Sequence, residues 1–216
     1  MDPLRQWLAF GPVAVYLVVL GGINLSRRPL VVSGVADLAA LALAVFGLMM
    51  VGPMELFVPD AAVIRYGPYV WVLLVGFYVM IVAMLLLLMR PRLVVYNIRA
   101  EQLRPLLAES ATRLDTGVRW AADSLVLPGL GVQLHLDGNP WMRNVSLVAS
   151  GSRQDHLGWR RLQKHLASEL DALPLGRNPR GYSLLTAGGL IFLWLAMSVW
   201  NDPAAVGQSL IDLLRL

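Results

Sequence analysis

Asp37 is the one carboxylate set inside an apolar run, VSGVADLAALALAVFGLMMV at residues 32–51. An ionisable side chain at membrane depth is costly, and it is found where it pairs with a partner or marks a pathway. Two roles are open to it. One is a proton or ion site at a helix interface, with Asn24 as the other intramembrane polar residue. The other is structural. Within two turns of the helix start, the carboxylate would accept hydrogen bonds from Asn24, Arg27 or Arg28, and the positive end of the helix dipole favours its charge. The structural role is the expectation.

The remaining chemistry-bearing residues are sparse. There is no cysteine, so disulfides, thiolate catalysis and thiolate metal sites are excluded. His135, His156 and His165 lack the HExxH spacing of a zinc site, and no G-x-S-x-G elbow accompanies them. They are expected to face solvent. Gly129 and Gly131 belong to no phosphate-binding loop and suit a turn. Asn144-Val145-Ser146 fits a glycosylation acceptor but falls in a predicted cytosolic strand. No cofactor, no metal and no catalytic group follow from these residues.

The elements that carry them are dominated by lipid-compatible sequence. Of 216 residues, 57% are hydrophobic and 15% charged, against ~25% charged in a typical soluble domain. A hydrocarbon core of ~30 Å needs about 20 apolar residues in a helix. Residues 8–25, 32–51, 68–89 and 182–200 each meet that length. In the second run Ala36, Ala40, Ala44 and Gly47 form a face of small residues, which lets helices approach closely. Trp7, Tyr66, Tyr69, Trp71, Tyr182, Trp194 and Trp200 fall near span ends, as an interfacial aromatic belt does.

Arginine placement orients the spans. Arg27, Arg28, Arg90, Arg92, Arg177 and Arg180 fall on one side if the spans alternate, and cytoplasmic loops carry that excess. Both termini are then extracytoplasmic. Lys164 is the only lysine, a bias that fits a GC-rich bacterial genome and hence an inner membrane.

Three segments follow: 1–91 with three transmembrane helices, a cytosolic α+β domain at 92–175, and 176–216 with the fourth span and a short interfacial helix. Within the domain, LVVYN predicts a strand, and AEQLRPLLAESATRL aligns Leu103, Leu106, Leu107, Ala111 and Leu114 on one helical face. VQLHLD and NVSLVAS alternate as half-buried strands. Residues 153–173 carry a stripe of Trp159, Leu162, Leu166, Leu170 and Leu173. The fold class expected is therefore four transmembrane α-helices with a β-α-β-meander-α domain between helices three and four.

Two surfaces of that domain are candidates for binding. A meander packed on helices leaves one polar face, here Arg119, Gln133, His135, Asn144 and Ser146. The last helix has a basic face, Arg153, Arg160, Arg161 and Lys164, suited to anionic lipid. Basic residues are not interleaved with exposed aromatics, so nucleic acid is not an expected partner. The overall expectation is a non-enzymatic membrane subunit or scaffold. Its partners are other membrane proteins, or copies of itself associating through transmembrane helices. An oligomeric channel or transporter using Asp37 is the alternative.

Overall fold

The structure is a computed structural model that describes residues 2–57, 67, 69–139, 143–173, 176, 178–204 and 206–208. In chain order it runs α1 (Pro3–Leu25), β1 (Leu30–Ser33), α2 (Gly34–Phe57), α3 (Tyr69–Leu88), β2 (Arg92–Tyr96), α4 (Ala100–Leu114), β3 (Arg119–Ala121) and β4 (Ser124–Leu127). It continues through β5 (Val132–Asn139), β6 (Asn144–Ala149), α5 (His156–Asp171) and α6 (Arg180–Asn201). Residues 203, 204 and 206–208 are helical, and the rest of the expected C-terminal helix lies outside the described residues.

Four helices are long and apolar enough to cross a membrane: α1, the stretch Gly34–Gly52 of α2, α3 and α6. They match the four apolar runs of the sequence. One boundary differs. Val32 and Ser33, expected inside the second span, belong to β1. Apolar β-branched residues suit a strand and a lipid-facing helix equally. Composition alone does not separate the last residues of one from the first of the other.

The chain divides into two compact units, one of Met1–Leu20, Ala39–Leu88 and Ser183–Leu216, the other of Gly21–Leu38 and Met89–Tyr182. In the first, α1 packs on both α2 and α6. A Cβ at Gly47 would overlap the Leu8 carbonyl oxygen, and one at Gly188 would lie 3.0 Å from the Ala14 carbonyl oxygen. Glycine at both crossings therefore lets the backbones touch, as small residues do in membrane helix pairs. Trp7 Nε1 donates to the Leu195 carbonyl at 3.2 Å, and Ser198 Oγ donates to Gln6 Oε1 at 2.7 Å. Trp7, expected in an interfacial belt, serves the α1–α6 seam. Tyr78 Oη donates to the Ala42 carbonyl at 2.6 Å, joining α3 to α2. Of the small face, Ala44 and Gly47 are buried, while Ala36 and Ala40 are exposed.

The second unit is built on a six-stranded sheet, order β1-β2-β6-β5-β4-β3, antiparallel throughout. β3 to β6 form a meander. The connection from β2 to β3 carries α4 from one side of the sheet to the far edge. Alternation decides what is buried, because successive strand side chains point to opposite faces. Leu93, Val95, Leu125, Leu127, Val132, Leu134, Leu136, Val145 and Leu147 form the inner face. Leu103, Leu107 and Ala111 of α4, with Trp159, Leu162, Leu166 and Leu170 of α5, cover it. These helical positions are the stripes read from periodicity. Asp155 caps α5, its Oδ1 accepting from Leu157 N at 2.9 Å.

The sheet exceeds the expected meander by one strand at its edge. β1, from the connection between α1 and α2, pairs with β2 over four residues, Leu30↔Tyr96 to Ser33↔Leu93. Val31 packs on the inner-face core.

Candidate functional site

On the outer face of the sheet, Arg92 and Tyr96 lie four residues apart on the same side of β2, with Val94 between them on that face. Asp37, in the first turn of α2, sits against both. Arg92 Nη2 donates to Asp37 Oδ2 at 3.0 Å, and Tyr96 Oη donates to Asp37 Oδ1. The Arg92 and Asp37 side chains are 33% and 19% exposed, so the pair is only partly screened by solvent. Arg92 Nε is buried with no acceptor. Gly34 makes the approach possible, since a Cβ there would overlap the Arg92 side chain. Val94 is buried although it points away from the core.

Both Asp37 oxygens accept hydrogen bonds, from donors other than those expected. Arg27, Arg28 and Asn24 do not hold it. Residues 26–33 bend and then pair as β1, which carries the α2 start onto β2. The strand pairing supplies Arg92 and Tyr96 from residues 55 and 59 positions away in sequence. Arg28 instead meets Asp171 at 3.2 Å with both side chains about 70% and 67% exposed, a pair of little energetic weight.

Asn24 belongs to a second polar clamp. Asn178 Nδ2 donates to Asn24 Oδ1 at 2.9 Å, and Asn178 N donates to the Asn24 carbonyl at 3.1 Å. Both residues are buried. Two residues after Asn24, the Ser26 carbonyl accepts from Asn97 Nδ2 at 2.6 Å. Asn97 is fully buried at φ 63°, a left-handed backbone that asparagine tolerates better than most residues. The end of α1, the end of β2 and the entry to α6 are joined through these amides. Asn178 and Asn97 were not singled out by sequence. Their legible signal was asparagine beside an apolar run, ending one in VVYN and preceding one in RNPRG.

The outer face carries the other predicted residues in cross-strand rows. Arg119, Val126 and Gln133 form one row, Ser146 and Asp137 another, and Asn144 stands opposite Tyr96. Arg119, Gln133 and His135 are exposed, whereas Asn144 and Ser146 are half-buried. His135 Nδ1 lies 3.3 Å from Ser124 Oγ. The face is therefore occupied at its β1–β2 end by the first turn of α2 and open from β5 to β3.

His156 is exposed. His165 is not fully so: its Nδ1 is buried and lies 3.5 Å from Glu169 Oε1. Glu169 also accepts from Ser110, which is completely buried, and from Arg113 at 3.3 Å. The group ties α5 to α4. Ser110 and His165 each reach Glu169 rather than one another, so the arrangement is not that of a nucleophile and its base. Among the described residues, no three His, Asp or Glu side chains stand together as metal ligands. Arg153, Arg160, Arg161 and Lys164 are exposed.

No protein family, curated protein or solved structure matches the chain. What geometry defines is a class: four apolar helices of membrane-spanning length and an antiparallel sheet covered by two helices on one face.

Proposed function

We propose that this chain is a non-enzymatic subunit or scaffold of a membrane complex, presenting a docking domain on the cytosolic side of a bacterial inner membrane. The observation that carries the proposal is the composition of the sheet. Its strands come from two separate connections, one between α1 and α2, the other between α3 and α6. An unpaired strand is not stable in hydrocarbon, so a shared sheet requires both connections on one side. The domain is then joined to the helices at four points along the chain: the end of α1, the start of α2, the end of α3 and the start of α6. The Asp37 and Asn24 clamps reinforce the α1, α2 and α6 junctions. A platform held this way suits fixed presentation of a surface better than reaching for a substrate.

The open part of the outer face, Arg119, Gln133 and His135, is the docking surface in this proposal, and another membrane protein is the partner. The test is a charge reversal, Arg119→Glu with His135→Glu, in the full chain. Neither side chain lies in the core, so membrane insertion and the thermal melt should be unchanged while a stoichiometric partner is lost on purification in mild detergent. Retention of every partner, with no cross-link from photoreactive residues at 119 or 135, overturns this surface.

A further inference from the structure

α5 turns one face to the core and leaves another bare. At 3.6 residues per turn, Leu157, Arg160, Arg161, Lys164 and Ser168 fall within an arc of about 100°, opposite Trp159, Leu162, Leu166 and Leu170. All five are exposed, and Leu157 is 62% exposed. Arg153, just before the helix, is exposed as well. Among the described residues no carboxylate pairs with any of these four cations. The acidic groups of α5 are engaged elsewhere. Glu169 turns to Ser110 and Arg113 of α4, Asp171 to Arg28, and the Asp155 cap to the α5 backbone.

We propose that this stripe binds the headgroups of anionic phospholipids. Three features favour a lipid surface over an acidic polypeptide. The face is convex, being one side of a helix. Three cations span just over one turn of α5 and Arg153 stands ahead of it, a cluster that suits many weak contacts with a planar anionic surface. An exposed leucine stands among the cations, the combination by which interfacial helices enter the headgroup boundary. The inference is independent of the docking face on the sheet.

The chain has no cysteine, so a single environment-sensitive fluorophore can be placed by Leu157→Cys. Glu101→Cys on α4 serves as the control position. The labelled full-length protein is reconstituted in nanodiscs of phosphatidylcholine alone or mixed with phosphatidylglycerol. At 157 the emission should shift to the blue and become protected from aqueous quencher only with phosphatidylglycerol. Raised salt should reverse the shift, because screening weakens contacts with surface charge. Arg160→Glu with Lys164→Glu should abolish it, and each cation neutralised singly should weaken it roughly fivefold. The control at 101 should not respond. If the probe at 157 stays equally wet in both lipids, or its shift ignores both salt and charge reversal, the proposal is overturned. The salt titration on the otherwise unaltered stripe decides the matter even where the reversal variant fails to fold.

Discussion

At the scale of single residues, the Asp37 cluster sets the clearest expectations. A partly buried carboxylate that accepts from an arginine and a tyrosine loses little when it becomes an amide, and much when it becomes apolar. Asp37→Asn keeps one acceptor oxygen for Arg92 and turns an NH2 donor to the Tyr96 hydroxyl, which can accept as well as donate, so protein yield and protease resistance should stay near the parent. Asp37→Leu strands Arg92 and Tyr96 and should cost about 1–3 kcal/mol, read as a lower unfolding temperature in detergent. Combining Asp37→Leu with Arg92→Met should cost less than the sum of the two single changes, with a coupling of about 0.5–3 kcal/mol. Strict additivity would show that the contact does not hold the domain. An Asp37→Asn protein that folds fully and assembles but loses its biological activity would instead favour a titrating carboxylate.

Secondary-structure elements bring a different test, because β1 is the strand that ties two connections together. Val32 and Val94 stand directly opposite across the β1–β2 ladder, where Cβ atoms are about 4.5–5.5 Å apart. Cysteines at both positions, joined by a short bifunctional maleimide, should cross-link the α1–α2 connection to the segment after α3. With a protease site inserted in residues 58–66, the two fragments should remain joined after cleavage unless the cross-linker is omitted. Separate fragments would remove β1 from the sheet. In the core, Leu166→Ala should cost about 2–5 kcal/mol, since Leu166 is fully buried between α5 and the sheet. At the α1–α2 crossing, Gly47→Val forces two backbones apart and should destabilise by about 1–3 kcal/mol, measured by thermal melting of the purified protein.

For the whole molecule, the pairing of β1 with β2 groups the α1–α2 connection with the segment after α3, and the proposed orientation of that side rests on the arginine asymmetry. The grouping follows from backbone hydrogen bonding, the orientation from cytoplasmic retention of cations. Single cysteines at Arg27 and at Ser152 should therefore behave alike, staying unlabelled by an impermeant thiol reagent in intact cells. A cysteine at Gln208 should label. Labelling at 27 but not at 152 would split the two connections across the bilayer and contradict the pairing of β1 with β2. Labelling at both, with 208 protected, would keep the pairing and invert the orientation.

Periodicity was enough for the four apolar helices and for the stripes of α4 and α5. Hydrophobic spacing is local, and burial follows it directly. The alternation in VQLHLD and NVSLVAS likewise assigned the inner and outer rows of β5 and β6. Asp37 was legible as a residue with a structural burden because an isolated carboxylate in an apolar run must be compensated. Its partners were not legible. Arg92 and Tyr96 reach it only because β1 pairs with β2, and strand pairing over some 60 residues is decided by sheet assembly and core closure, not by local pattern. The same holds for Asn24 with Asn178, 154 residues apart. β1 itself was hidden for a related reason. LVVS abuts an apolar helix, and its β-branched residues satisfy either lipid or a sheet until a neighbouring edge offers backbone hydrogen bonds.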